Sequence, residues 1–143
     1  MAFMNETDLD TLMDHASELL VQRDYLKCER LCEKALSIAR ANDDYDRIAR
    51  ILLPLQEARR QRRQIAADAG VQVYDEQQPL QDILNAHDAG CILLIAPPYS
   101  PDDAAELRKL ARESERYLEV ICIDAVRMRG LFLDAQQAIG DAE

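Results

Sequence analysis

One change of pattern constrains this chain more than anything else: the apolar period switches at Gly70. Before Gly70, apolar residues recur every three or four positions, which lays one stripe along a helix. After it, short apolar runs alternate with helical patches, the mark of strands joined by crossover helices. The switch predicts an α/β chain in two regions, helical over 1–69 and a small α/β unit over 70–143, folding as one cooperative domain.

In the helical region, Leu9, Leu12, Met13, Ala16, Leu19 and Leu20 form a first stripe. Thr7, with Asp10 three residues on, is read as a capping box built with the shorter acid. Gln22-Arg23-Asp24 breaks the pattern, and Cys28, Leu31, Cys32, Ala35, Ile38 and Ala39 form a second stripe. Ala16, Cys28 and Ala35 are small enough to let two helix backbones approach closely. An antiparallel hairpin over 9–41 follows. It resembles one tetratricopeptide repeat. Ala16 stands at the small position of the first helix, Arg23-Asp24-Tyr25 at the turn, and Cys28 and Ala35-Leu36 at the small and small-leucine positions of the second. Arg23 replaces the turn glycine of that pattern, Cys32 the aromatic and Arg40 the closing proline. The resemblance implies a helical surface for protein partners. Such repeats need about three units to stack, so the sheet is expected to stand in for the missing neighbours.

Asn42-Asp43-Asp44 predicts a turn that caps a third helix over 45–69. Ile48, Leu52, Leu55, Ala58, Ile65 and Ala69 make its stripe. Pro54 lacks a backbone donor and predicts a kink or break near Arg50. Arg59, Arg60, Arg62 and Arg63 span just over one turn of this helix. Arg62 falls beside the stripe and is expected to be partly buried, paired with a carboxylate from the α/β half. Arg59, Arg60 and Arg63 are left as candidate partner-binding residues, the alternative being a solvated helix face.

Beyond Gly70, Val71–Tyr74 alternates like a half-buried strand and Pro79–His87 reads as a short helix. Ala89-Gly90 reads as a turn. Cys91–Ala96 is continuously apolar, as in a strand buried on both faces. Ser100 caps a further helix with Pro101 at its first position and Asp102 and Asp103 in its first turn. Its inward stripe is Leu107, Leu110, Ala111 and Ser114. Val120–Ile123 is a third strand and Gly130–Ile139 a closing helix. The most apolar strand belongs in the centre, so the parallel order is 1-2-3, with Leu93 among the most buried residues. Two right-handed crossovers in that order place both helices on one face. The fold expected is therefore a helical hairpin plus third helix packed on a three-stranded parallel sheet with crossover helices.

The net charge is −10 at pH 7, which argues against nucleic acid, since phosphate contacts need a basic footprint. Residues 71–143 carry 14 acidic and 6 basic side chains. The four cysteines lack any C-x-x-C, and their places in apolar stripes read as reduced, buried thiols in a cytoplasmic protein with no metal site. The first residues are acidic, not basic then apolar as in a signal peptide, and no apolar run approaches membrane-spanning length.

No phosphate-cradling or nucleophile-elbow motif is present, and His15 and His87 lack a catalytic neighbour in sequence. Parallel sheets bind ligands beyond the carboxyl ends of their strands. That edge would gather Asp75, Glu76, Tyr99, Ser100 and Asp124, acids among them that suit a hard cation. V-Y-D-E-Q-Q-P-L and I-D-A-V-R-M-R-G resemble parts of a receiver domain of two-component signalling. Against that pattern, Met128 is one residue too far from Asp124, Arg129 replaces a proline, and the last two strands are missing. The chain is thus expected to be a noncatalytic protein-interaction or adaptor module without a cofactor, able to form part of a larger assembly or a homo-oligomer. The alternative is a regulatory domain that binds a ligand or metal at the strand-end acids.

Overall fold

The structure is a computed structural model and describes residues 6–140. Six helices and three strands follow one another as α1 (Glu6–Val21), α2 (Tyr25–Ala41), α3 (Tyr45–Ala69), β1 (Val71–Tyr74), α4 (Leu80–Ala86), β2 (Ala89–Ala96), α5 (Pro101–Glu113), β3 (Tyr117–Asp124) and α6 (Ala125–Gly140). The chain divides into two compact units at Gln64 and Ile65, inside α3. The end of α3 goes with the sheet because Gly70, at φ +95°, turns the chain directly into β1 and its carbonyl accepts from Cys91 N at 2.9 Å.

In the helical unit, α1 and α2 form the expected hairpin and α3 follows it. Both turns are built alike. Arg23 and Asp43 adopt left-handed backbones, with φ of 62° and 52°. The next amide then reaches back to close the turn: Asp24 N donates to Leu19 O and Asp44 N to Ala39 O, each at 2.9 Å. Asp24 and Asp44 then cap the helices that follow, accepting from Lys27 N and Arg47 N. Leu9, Ala16, Cys28, Cys32, Ala35, Ala39, Ile51, Leu55 and Ala58 are buried to 1% exposure or less. Small residues among them are what close helix approach requires.

Two local expectations change here. α1 begins at Glu6, so Thr7 lies within the helix; its side chain falls outside the described residues. Asp10 serves α3 instead, accepting from Arg47 Nε and Nη2 at 2.9 and 3.0 Å. α3 also runs unbroken through Pro54. The carbonyl that Pro54 cannot serve belongs to Arg50, an exposed residue, where water can take the missing donor's place.

In the second unit the three strands are parallel in the order β1-β2-β3. β2 starts at Ala89, so the expected Ala89-Gly90 turn is strand, and β3 extends to eight residues. Ile92, Leu94, Leu118 and Val120 meet Ile83 and Leu84 of α4 and Ala104, Leu107 and Ala111 of α5 in one apolar core. Both crossover helices therefore lie on one face, as right-handed connections in this order require. α5 carries a complete capping box between Ser100 and Asp103, with Pro101 in its first turn. Ser114, expected to face inward, is instead its exposed C-cap.

The other face is different. Val71, Val73 and Ile121 are 59%, 57% and 54% exposed, and Cys91, Leu93, Ile95 and Ile123 are only half-buried. Leu93 is thus not among the most buried residues, because strand alternation sends its side chain to the face opposite α4 and α5. Ile92 and Leu94 hold the interior positions.

Candidate functional site

Four arginines on one turn of helix must fan around it, and the structure shows where each points. Arg62 is partly buried as expected, but its partner is Glu29 of α2, not an acid of the α/β half: Nε stands 2.9 Å from Glu29 Oε2. The approach is out of line for a hydrogen bond from Nε, so this is an ion pair. Arg59 donates through Nε to Glu29 Oε1 at 3.1 Å and through Nη2 to Glu33 at 3.2 Å. Glu29 itself is only 2% exposed. A carboxylate buried that deeply needs this compensation, and the pairing ties α3 to α2. Burial works against the Arg59 charge, but its bonds to Glu29 and Glu33 outweigh it and hold the guanidinium protonated.

Arg60 grips Glu57 on its own helix at 2.7 and 2.9 Å. With Gln61 also donating to it, the Glu57 carboxyl is held down at about 2. Arg63 is exposed. Of the three arginines expected to meet a partner, Arg59 and Arg60 are engaged within the chain and Arg63 points to solvent.

Among the described residues of the helical unit, α3 borders two grooves. One, of about 490 Å³, lies between α1 and α3 and is lined by Met13, Ser17, Leu20, Arg50, Leu53 and Pro54. Leu53 stands there 70% exposed. The other, about 370 Å³ between α2 and α3, has Leu36, Leu52 and Leu55 for its floor and Glu33, Arg40 and Arg59 at its sides. The sequence carried a trace of the first groove: Leu53 follows Leu52 off the α3 stripe, so one leucine of the pair had to face outward.

At the carboxyl ends of the strands, Asp75 and Glu76 are exposed. Tyr99 is buried, and its hydroxyl donates to Glu76 O at 2.7 Å and accepts from Gln78 N at 3.0 Å. Ser100 belongs to the α5 capping box. Asp124 caps α6, accepting from Val126 N and Arg127 N at 2.9 and 3.1 Å. Three of the five candidate edge residues therefore do structural work. Tyr99 pins the loop after β1 to the loop after β2.

His87, the C-cap of α4, shares a short hydrogen bond with the Tyr74 hydroxyl, and the two rings meet edge to face. Burial raises the Tyr74 hydroxyl, and so does its neighbour Tyr99, so the phenol stays protonated. His15 is exposed on α1. All four cysteines are free, with Cys28 and Cys32 buried together on α2. Its bond with Cys28, then burial, raise the Cys32 thiol and keep it protonated. Among the described residues no group of three potential metal ligands comes together, and no helix is long and apolar enough to cross a membrane. Compared with family models, curated proteins and solved structures, the chain matches none.

Proposed function

We propose that this chain is a noncatalytic protein-interaction module of the cytoplasm, and that the groove between α1 and α3 receives the partner. The observation that carries this reading is the groove itself: an apolar floor of Met13, Leu20 and Pro54, an exposed Leu53 and an arginine, Arg50, beside them. An apolar anchor flanked by one charge is what a partner side chain with a nearby carboxylate would fit. The resemblance of α1 and α2 to a tetratricopeptide repeat supports a partner-binding use, and α1 and α3 both line this groove. Exposed Arg63 adds positive charge on α3, and Arg59 and Arg60 contribute what field their internal partners leave. The alternative ligand or metal edge is weaker, because Tyr99, Ser100 and Asp124 already have intrachain roles.

The test is site-directed photocrosslinking from position 53 of the full chain in its native lysate. One defined protein should be captured, and Leu53→Asp or Arg50→Glu should abolish its binding without changing the melting temperature. Capture that survives both substitutions would remove the groove from the proposal.

A further inference from the structure

The second unit leaves two apolar surfaces open, on different elements. One is the sheet face, where Val73, Leu93 and Ile121 form a row across all three strands, with Val71, Cys91, Ile95 and Ile123 around it. The other is α6. Residues 125–130 are all exposed, Val126 at 76% and Met128 at 50%. Six successive residues pass more than once round a helix of 3.6 residues per turn, so no side of this stretch is buried. β3 ends at Asp124 and α6 starts at Ala125, with no loop residue between them. Without a turn, α6 does not double back onto the strands that it continues.

We propose that α6 of one copy lies across the open sheet face of a second copy, in a reciprocal exchange that closes as a two-fold dimer. Parallel sheets are ordinarily covered on both faces, and helices are the elements that cover them; α6 is a helix of this chain held off its own sheet. Its sequence places Met128, Leu131, Phe132, Ala135 and Ile139 at helical spacing, the pattern of a stripe that packs against something. The lengths match. Sixteen residues of α6 make about 24 Å, and the eight residues of β2 or β3 make about 26 Å. The charges match as well. Residues 71–124 carry 11 acidic and 4 basic side chains, whereas residues 125–140 carry two arginines and one aspartate. Helix and sheet unit therefore attract across this contact, while two sheet faces pressed together would repel. Two contacts of about 24 by 10 Å, counted on both surfaces, bury roughly 1,000 Å², the size of a weak interface. The dilute chain is thus monomeric, and the dimer forms as concentration rises.

The test is sedimentation velocity of the full chain between about 1 μM and about 1 mM, where monomer should give way to dimer. Cys91, half-buried on the face, supplies a second readout: its reaction with maleimide, located by mass mapping, should slow over the same range. Met128→Glu on α6 and Ile121→Glu on the face, both at exposed positions and checked for unchanged circular dichroism, should each weaken dimerisation about tenfold or more. Val73→Ser with Ile121→Ser repeats the face test without adding charge. Val126→Ser, on the side of α6 opposite Met128, should leave dimerisation unchanged. An equimolar mixture of the Met128→Glu and Ile121→Glu chains should regain part of the association, because one intact helix then meets one intact face. Four results would overturn the proposal. A monomer at every concentration means that α6 has no seat on a second copy. Cys91 inert even in the dilute chain means that the chain's own elements cover the face. Dimers that survive Ile121→Glu pair through α6 alone, and dimers that survive Met128→Glu pair face to face. A mixture that stays monomeric shows that helix and face do not meet each other.

Discussion

The helical unit turns charge inward, whereas the sheet unit turns apolar surface outward. In the first, Glu29 is 2% exposed between two arginines. In the second, Val71, Val73 and Ile121 are each more than half exposed. The difference follows from side-chain geometry. A helix gathers its apolar residues into one stripe, so three helices can close on a common core and whatever polar group falls inside must be paired. A strand sends alternate residues to opposite sides. With α4 and α5 on one face of the sheet, half of each strand's side chains are left facing away from that core.

The largest test of this contrast is Glu29→Ala. Removing the carboxylate leaves the partly buried Arg62 charge without it and should cost about 3–4 kcal/mol in urea unfolding, toward the low end for buried pairs because Arg59 and Arg62 are both partly exposed and find water. Glu29→Met combined with Arg62→Met should recover most of that loss. A cost no greater than a surface mutation's would mean that the helical unit does not depend on its inward charge.

Next comes a pair of neighbours on β2. Leu94→Ala removes a fully buried side chain and should cost about 3 kcal/mol, whereas half-buried Leu93→Ala should cost about 1 kcal/mol. Equal losses in the same denaturant series would show the second face to be covered in solution, and the contrast between the units would collapse.

Most of the architecture was legible because it rests on periodicity. The hairpin, the strand order and both crossover helices follow from apolar spacing and from Ser100-Pro101. Leu93 was misplaced because a continuous apolar run such as Cys91–Ala96 reads the same whether one face or both are covered. Glu29 was missed because nothing in sequence separates a carboxylate aimed between two helices from one aimed at water. Its arginine partners lie 30 and 33 positions away. The groove residues were only half visible: Met13 and Leu20 read as core, and only the Leu52-Leu53 doublet hinted at an outward leucine. The strand-end acids read alike whether they hold a ligand or cap a helix, and the bonds made by Asp124 distinguish the two.

A smaller test uses pH. The guanidinium of Arg47 holds the carboxyls of Asp10 and Asp44 below the usual carboxylate range, and is itself bonded to both. A lowered carboxylate adds stability that is complete above its unfolded value of about 3.9 and is lost as pH falls through the folded one. Arg47→Ala should therefore raise both carboxyls in an NMR titration, Asp10 the further of the two, because Asp44 keeps its bond from the backbone amide of residue 47. The stability gap between Arg47→Ala and the natural chain should be widest above pH 5 and should shrink as the solution is made more acidic. A gap independent of pH would assign the role of Arg47 to packing along its stem.

The smallest effect separates what the two units share from what divides them. Arg23 follows α1 and Glu115 follows α5, at φ of 62° and 55°, each followed by an amide that reaches back to close the turn at 2.9 Å. A side chain crowds the left-handed backbone by roughly 1–2 kcal/mol, while glycine loses about 0.5–1 kcal/mol more conformational freedom on folding. The two nearly offset, leaving a net gain of about 0.5 kcal/mol for Arg23→Gly and for Glu115→Gly. Arg23→Val should lose stability, since a β-branched side chain fits that backbone worst. Because the turn is local, both glycine substitutions should raise the melting temperature by similar small amounts despite their different units. A gain at Glu115 with a loss at Arg23 would show that the arginine side chain contributes something beyond its turn, and would put the end of α1 among the places where the helical unit uses charge.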